Sequence, residues 1–190
     1  LLVACLPGTM LCAGAAVLLF RPRESDGSFG ADVRRFFGQR TAAQWRWRIP
    51  AAFLAFPVVY YFFGGIVGPF VVEHYQDQGL ALRIPSHGVI LATQMARSLL
   101  YLAASLPVLI AWSGSRRGLV LSLGLALFML VGLMNLVQVP WLPVTMRVLH
   151  GAEIFADSMV YALVLTLLLA GRATAHNAAA LTVPRIASAT

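Results

Sequence analysis

Charge is what this chain has least of. Charged side chains make up 11% of the 190 residues and hydrophobic ones 59%, with a mean hydropathy of +0.80; soluble domains run at about 25% and about 45–50%. That shortage excludes an ordinary water-soluble globule. Lysine is absent, since all fourteen basic residues are arginine. An arginine-only set reads as GC-rich codon usage and hints at a bacterial source, without bearing on chemistry. Cysteine is scarce as well. Cys5 and Cys12 are about 10 Å apart along a helix, too far to be bridged to each other. Without a C-x-x-C pair, neither a zinc centre nor a thiol redox site is indicated.

Long apolar runs are what the chain has instead. Spans at about 1–20, 49–72, 88–112, 118–138 and 148–171 are long enough, or nearly so, to cross ~30 Å of hydrocarbon as helices. Runs of this length without two-residue alternation mean helices and not a barrel. The expected fold is an all-α integral membrane protein, a bundle of five transmembrane helices. The chain begins at Leu1 and not Met, so it is expected to be either processed or missing its true start, and in the second case a sixth helix is expected upstream. No polar stretch is long enough for a second domain, so residues 1–171 form one domain. The tail 172–190, without apolar periodicity, is expected to be disordered. The first span is not a signal peptide, because its basic residues follow the apolar run and no A-x-A site closes it. Leu2-Val3-Ala4-Cys5 looks like a lipobox, but no h-region precedes it.

The arginines orient the bundle. Arg21, Arg23, Arg34, Arg35, Arg40, Arg46 and Arg48 lie in the first loop, Arg116 and Arg117 in the next loop on that side, and Arg172 and Arg185 in the tail. The other side holds Arg83 and Arg147. Positive residues mark the cytoplasmic face. The expected location is therefore a bacterial plasma (inner) membrane with the C-terminus cytoplasmic. The net charge of +7 reflects this bias, and no soluble fold presents it to nucleic acid. In the first loop, Asp32 to Arg48 mixes Phe36, Phe37, Trp45 and Trp47 with arginines. That mixture suits the headgroup layer and predicts an interfacial helix, with docking of a partner or anionic lipid as the functional alternative.

The second span carries Pro50, Pro57 and Pro69 and the pair Gly64 and Gly68. The glycines predict close approach of another helix; the alternative is a discontinuous helix of the kind that builds transporter sites. Tyr60 and Tyr61 are expected to face the bundle interior, where their hydroxyls find partners.

The third and fifth spans carry the chemistry. Arg97 is the only charge in its span. The spacings three, three, four and four place Arg147, His150, Glu153, Asp157 and Tyr161 on one helical stripe. Arg97 and Asp157 reach the same depth, and an intramembrane charge needs a partner, so these two are expected to form a buried ion pair, with Glu153 also in reach. Glu73 and His74 end the second span, and Gln94 lies one turn above Arg97. Together these residues predict a polar pocket opening outward.

Two functions of different class follow. The first is a binding or accessory membrane protein handling a small polar ligand, a lipid headgroup or a partner's loop, with Arg97, Gln94, Arg147, His150, Glu153, Asp157, Tyr161, Glu73 and His74 as ligand contacts. The second is a metal-dependent membrane enzyme using His150, Glu153 and Asp157 as donors, although the spacing is not H-E-x-x-H. Haem on two of His74, His87 and His150 fits less well, because those histidines sit at span ends. A purely structural subunit of a membrane complex, fixed by the ion pair, accounts for the same charges. The polar series stops at Tyr161, so no complete route across the membrane is visible.

Overall fold

The computed structural model describes residues 29–76, 85–133, 136 and 138–171. Among them every regular element is helical: α1 (Phe29–Gly38), α2 (Ala42–Gln76), α3 (His87–Ala111), α4 (Arg116–Leu127) running into a π-helical turn (Phe128–Leu133), and α5 (Val144–Leu169). The expected span 1–20 with its two cysteines, and the tail 172–190, lie outside the described residues. Three helices are long and apolar enough to cross a membrane: Ala42–Val72, His87–Ala111 and Val144–Leu169. Their outward faces carry large apolar side chains, among them Val58, Phe62, Phe70, Leu99 and Leu167, each more than 60% exposed. An exposed apolar surface of that extent suits hydrocarbon and not water.

Two helix boundaries differ from the sequence expectation. Helix α2 begins at Ala42, well before Ile49, because Thr41 and Gln44 cap it reciprocally. The Gln44 amide donates to Thr41 Oγ1 at 3.3 Å and the Thr41 amide donates to Gln44 Oε1 at 3.2 Å, which is a capping box. Trp45 to Arg48 are therefore the opening turns of α2, and the expected interfacial helix shrinks to α1. Nor does α1 lie free on the surface, since Phe36 is buried and its ring sits 5.4 Å from that of Trp45. The fourth helix starts at Arg116 in place of 118; residues 134, 135 and 137, toward its expected end, lie outside the described residues. Helix α2 passes through Pro50, Pro57 and Pro69 without a break. No discontinuous helix forms there.

Helix α2 is the hub. It packs against α3 on one side and α5 on the other, and α5 also packs on α4, whereas α3 and α5 are not a closely packed pair. Phe56 of α2 lies between them, its ring 4.8 Å from Tyr101 on α3 and 5.3 Å from Tyr161 on α5, both edge-on. Around it Leu102, Leu109, Leu119, Leu123, Leu165 and Leu169 fill the main core. Close contact of α4 with α5 depends on glycine: a Cβ on Gly124 would stand 2.6 Å from Met159 Sδ and 3.3 Å from its Cα. Small residues at such crossings let backbones approach, which is the main source of packing energy where lipid and side chain are equally apolar. A second, smaller apolar cluster joins Val71 to Leu142 and Met146 at the far end of the bundle.

Candidate ligand cavity between α2, α3 and α5

The site begins with a carboxylate set against a helix backbone. A Cβ on Gly64 would lie 3.3 Å from Glu153 Oε1, so glycine gives the Glu153 side chain room beside α2. Its other oxygen, Oε2, accepts from His150 Nδ1 at 2.9 Å, one turn away on α5. The two side chains are 8% and 24% exposed. This pair is the buried ion pair of the bundle when the imidazole is protonated, and a neutral-donor hydrogen bond when Nδ1 alone carries hydrogen.

Beside the pair, α2, α3 and α5 enclose a cavity of about 360 Å³. Its polar wall holds Tyr60 and Tyr75 from α2, Thr93, Gln94 and Arg97 from α3, and His150 and Glu153 from α5; Val67, Val71 and Val89 are among the residues of the apolar wall. Burial, and after it the Glu153 carboxylate, raises the Tyr75 phenol above its ordinary value. Tyr75 therefore stays a hydrogen-bond donor at neutral pH. Gly68 faces open space within the cavity lining. Gly64 thus makes room for Glu153 of α5, and Gly68 for the cavity, so the close approach expected of the pair is met at Gly64, by a side chain, and not at Gly68. Tyr60 joins the wall, but Tyr61 is 40% exposed, because successive residues on a helix are turned about 100° apart.

Arg97, Gln94, His150 and Glu153 are brought together at this cavity, as a set drawn from two helices. The other sequence candidates lie elsewhere. Asp157 and Tyr161 are buried below the cavity and do not line it. Arg147 and His74 are half-buried outside it. Of Glu73 only the placement in α2 is described.

The expected Arg97–Asp157 pair is absent. Among the described residues, the ion pairs are Asp32–Arg35 and His150–Glu153. Depth along the helices did not decide the contact; azimuth did. The buried face of α3 runs through Gln94, Ser98, Leu102, Ser105 and Leu109, and Arg97 falls off that stripe onto the exposed cavity lip. Helix α2 stands between α3 and α5, and the Ser98 hydroxyl donates to the Phe53 carbonyl of α2. Asp157 is left with Oδ1 unpartnered among the described residues, as are Gln94 Oε1, Ser105 Oγ and the Tyr161 hydroxyl.

No group of three or more His, Cys, Asp or Glu side chains among the described residues is placed to hold a metal ion. His150 and Glu153 meet, and Asp157 does not complete a third donor. His87 opens α3 in an exposed position, apart from the cavity lining. Sequence reasoning missed Thr93 and the role of Tyr60. A threonine one residue before Gln94 gave no signal of its own, and its hydroxyl bonds back to the Val89 carbonyl at 2.8 Å.

Among the described residues the arrangement offers one guanidinium, a carboxylate–imidazole couple, phenol and amide groups, and an aliphatic wall. It is equipped to hold a small molecule with a charged head and an apolar body, and it presents no nucleophile activated by a base. Comparison with family models, with curated proteins and with solved structures finds no match.

Proposed function

We propose that this chain is a multi-pass protein of a bacterial plasma membrane whose α2–α3–α5 cavity opens outward and binds a small amphiphilic molecule with an anionic or zwitterionic head. The observation that carries this reading is the meeting of Arg97, Gln94 and the His150–Glu153 pair beside an apolar wall, within helices of membrane length. Arg97 is the anion contact. The His150–Glu153 couple takes a positive or hydrogen-bonding group of the same head, and the valines take its apolar part. The arginine distribution supports five spans with the 1–20 segment as the first and the C-terminus on the cytoplasmic side. A metal-dependent reaction is the weaker reading, because the three candidate donors do not converge among the described residues.

The test has two arms. In a chain with Cys5 and Cys12 replaced by serine, Thr93→Cys should react with a membrane-impermeant maleimide added to intact cells, and Gln39→Cys should not. Native mass spectrometry of the protein released from its own membrane should show a retained small mass that Arg97→Gln loses. Labelling of Gln39→Cys from outside overturns the orientation, and a wild-type chain with no retained mass overturns the ligand.

A further inference from the structure

The opposite end of the bundle gathers positive charge around one helix terminus. Helix α5 ends at Leu169, and its final carbonyls have no partner within the helix. Arginines from three separate places supply partners. Arg40, in the turn before α2, donates through Nη1 to Leu169 O at 2.6 Å and through Nη2 to Ala170 O at 2.7 Å. Arg48 in the first turns of α2 donates through Nη1 to Leu168 O, and Arg116 at the start of α4 donates through Nη2 to Gly171 O at 2.9 Å.

The helix end cannot balance this charge. A helix C-terminus carries about half a negative charge, whereas the three guanidiniums carry a full positive charge each. Asp32 is the one acid described in this part of the chain, and it is engaged by Arg35 at 3.6 Å. The Arg40 pKa is lowered by burial, then by the neighbouring charges of Arg48 and Arg116, so the three cations crowd one another. Each guanidinium has five donors, and the four bonds to carbonyls leave most of them free among the described residues. Arg48 Nε is among these, buried and without a partner among the described residues. The aromatic setting is that of a headgroup layer. Arg40 lies over Trp45 at 5.1 Å and Arg48 over Trp47 at 4.7 Å, and Trp47 is half exposed.

We propose that Arg40, Arg48 and Arg116 form a binding site for the phosphate of an anionic phospholipid in the leaflet at this end of the bundle. The phosphate takes the donors that the α5 carbonyls leave, in the paired geometry that guanidinium offers to phosphate oxygens, and neutralises the surplus charge. Trp47 lies beside the acyl–headgroup boundary. The bound lipid then links the turn before α2 to the ends of α4 and α5. This site is independent of the cavity on the other side, and it holds whichever way the chain is oriented.

The experiment uses the full chain purified in a non-ionic detergent, with melting temperature and tryptophan fluorescence titrated against three probes. Phosphatidylglycerol in mixed micelles should raise the melting temperature, and phosphatidylcholine at the same mole fraction should not. Arg116→Gln should weaken phosphatidylglycerol binding about fivefold, from about 1 kcal/mol per basic residue near an anionic surface. Arg34→Gln, the same loss of charge on α1, should leave it unchanged. Arg48→Lys keeps the charge and loses the fork, and should also weaken binding. If Arg48→Lys binds as the wild type does, or Arg34→Gln weakens binding as much as Arg116→Gln, the attraction is diffuse and the site is overturned. A shift with inorganic phosphate, and none with phosphatidylglycerol, would replace the lipid with a soluble anion.

Discussion

The two halves of α2 live in opposite surroundings. From Trp45 to Val59 the helix contributes Trp45, Ala52, Phe56 and Val59 to buried packing, and Phe56 locks against aromatic rings of both neighbours. From Tyr60 to Tyr75, of the side chains described, only Val71 is buried, and the wall it presents is glycine, valine and tyrosine around a cavity. The same contrast appears in the use of glycine. Gly124 is filled by Met159 from α5, and Gly68 faces nothing within 4 Å. Inside a membrane, where burial of apolar surface gives little preference for neighbour over lipid, the filled end supplies cohesion. The hollow end is left free to bind.

The sharpest way to break this comparison is to enlarge one glycine at each end. Gly124→Leu should destabilise the bundle by about 1–3 kcal/mol, because Met159 and its backbone must move to admit the side chain. Gly68→Ala should change stability by no more than about 0.5 kcal/mol, as a substitution that touches nothing. Melting temperatures of the two variants in detergent decide it. Equal losses would mean that the cavity end is packed as tightly as the core.

A smaller effect is expected at the His150–Glu153 pair. Replacing His150 with Ala removes the one partner seen for a buried carboxylate and should cost about 1–3 kcal/mol, the range for leaving a buried polar group unsatisfied. The partial exposure of His150 places the expected value toward the low end. Glu153→Gln in the same chain should recover part of the loss, since a neutral amide is cheaper to bury than an unpaired carboxylate. If the double variant is no more stable than His150→Ala alone, the bond between the two residues contributes nothing.

Apolar run length made the three helices that are long and apolar enough to cross a membrane legible in sequence, because hydrocarbon thickness fixes span length directly. Helix ends were less legible. The start of α2 at Ala42 depends on the Thr41–Gln44 cap, a local bond that outweighed the aromatic–arginine composition of the next residues. At the site, the i, i+3 spacing of His150 and Glu153 and the turn between Gln94 and Arg97 were enough to nominate residues that do meet. What sequence could not supply was the order of helices in space. With α2 between α3 and α5, equal depth does not make two charges neighbours. The arginine cap of α5 was invisible for the same reason, since its members are separated by as many as 130 residues from their acceptors.

The smallest stability effect is expected at the residue with the strongest sequence signal. Arg97 is exposed on the cavity lip and makes no ion pair with Asp157, so Arg97→Leu should shift stability by less than about 0.5 kcal/mol, or raise it slightly where leucine meets lipid. Combined with Asp157→Asn, the two changes should add to within about 0.3–0.5 kcal/mol, as independent sites do. Ligand retention should behave differently. Arg97→Leu removes the only guanidinium lining the cavity among the described residues and should abolish the retained mass, whereas Asp157→Asn, below the cavity, should leave it in place. Melting curves for the two single variants and the double variant, run beside native mass spectra of the same preparations, separate these outcomes. A coupling of more than about 1 kcal/mol between the two substitutions would show that the charges meet after all.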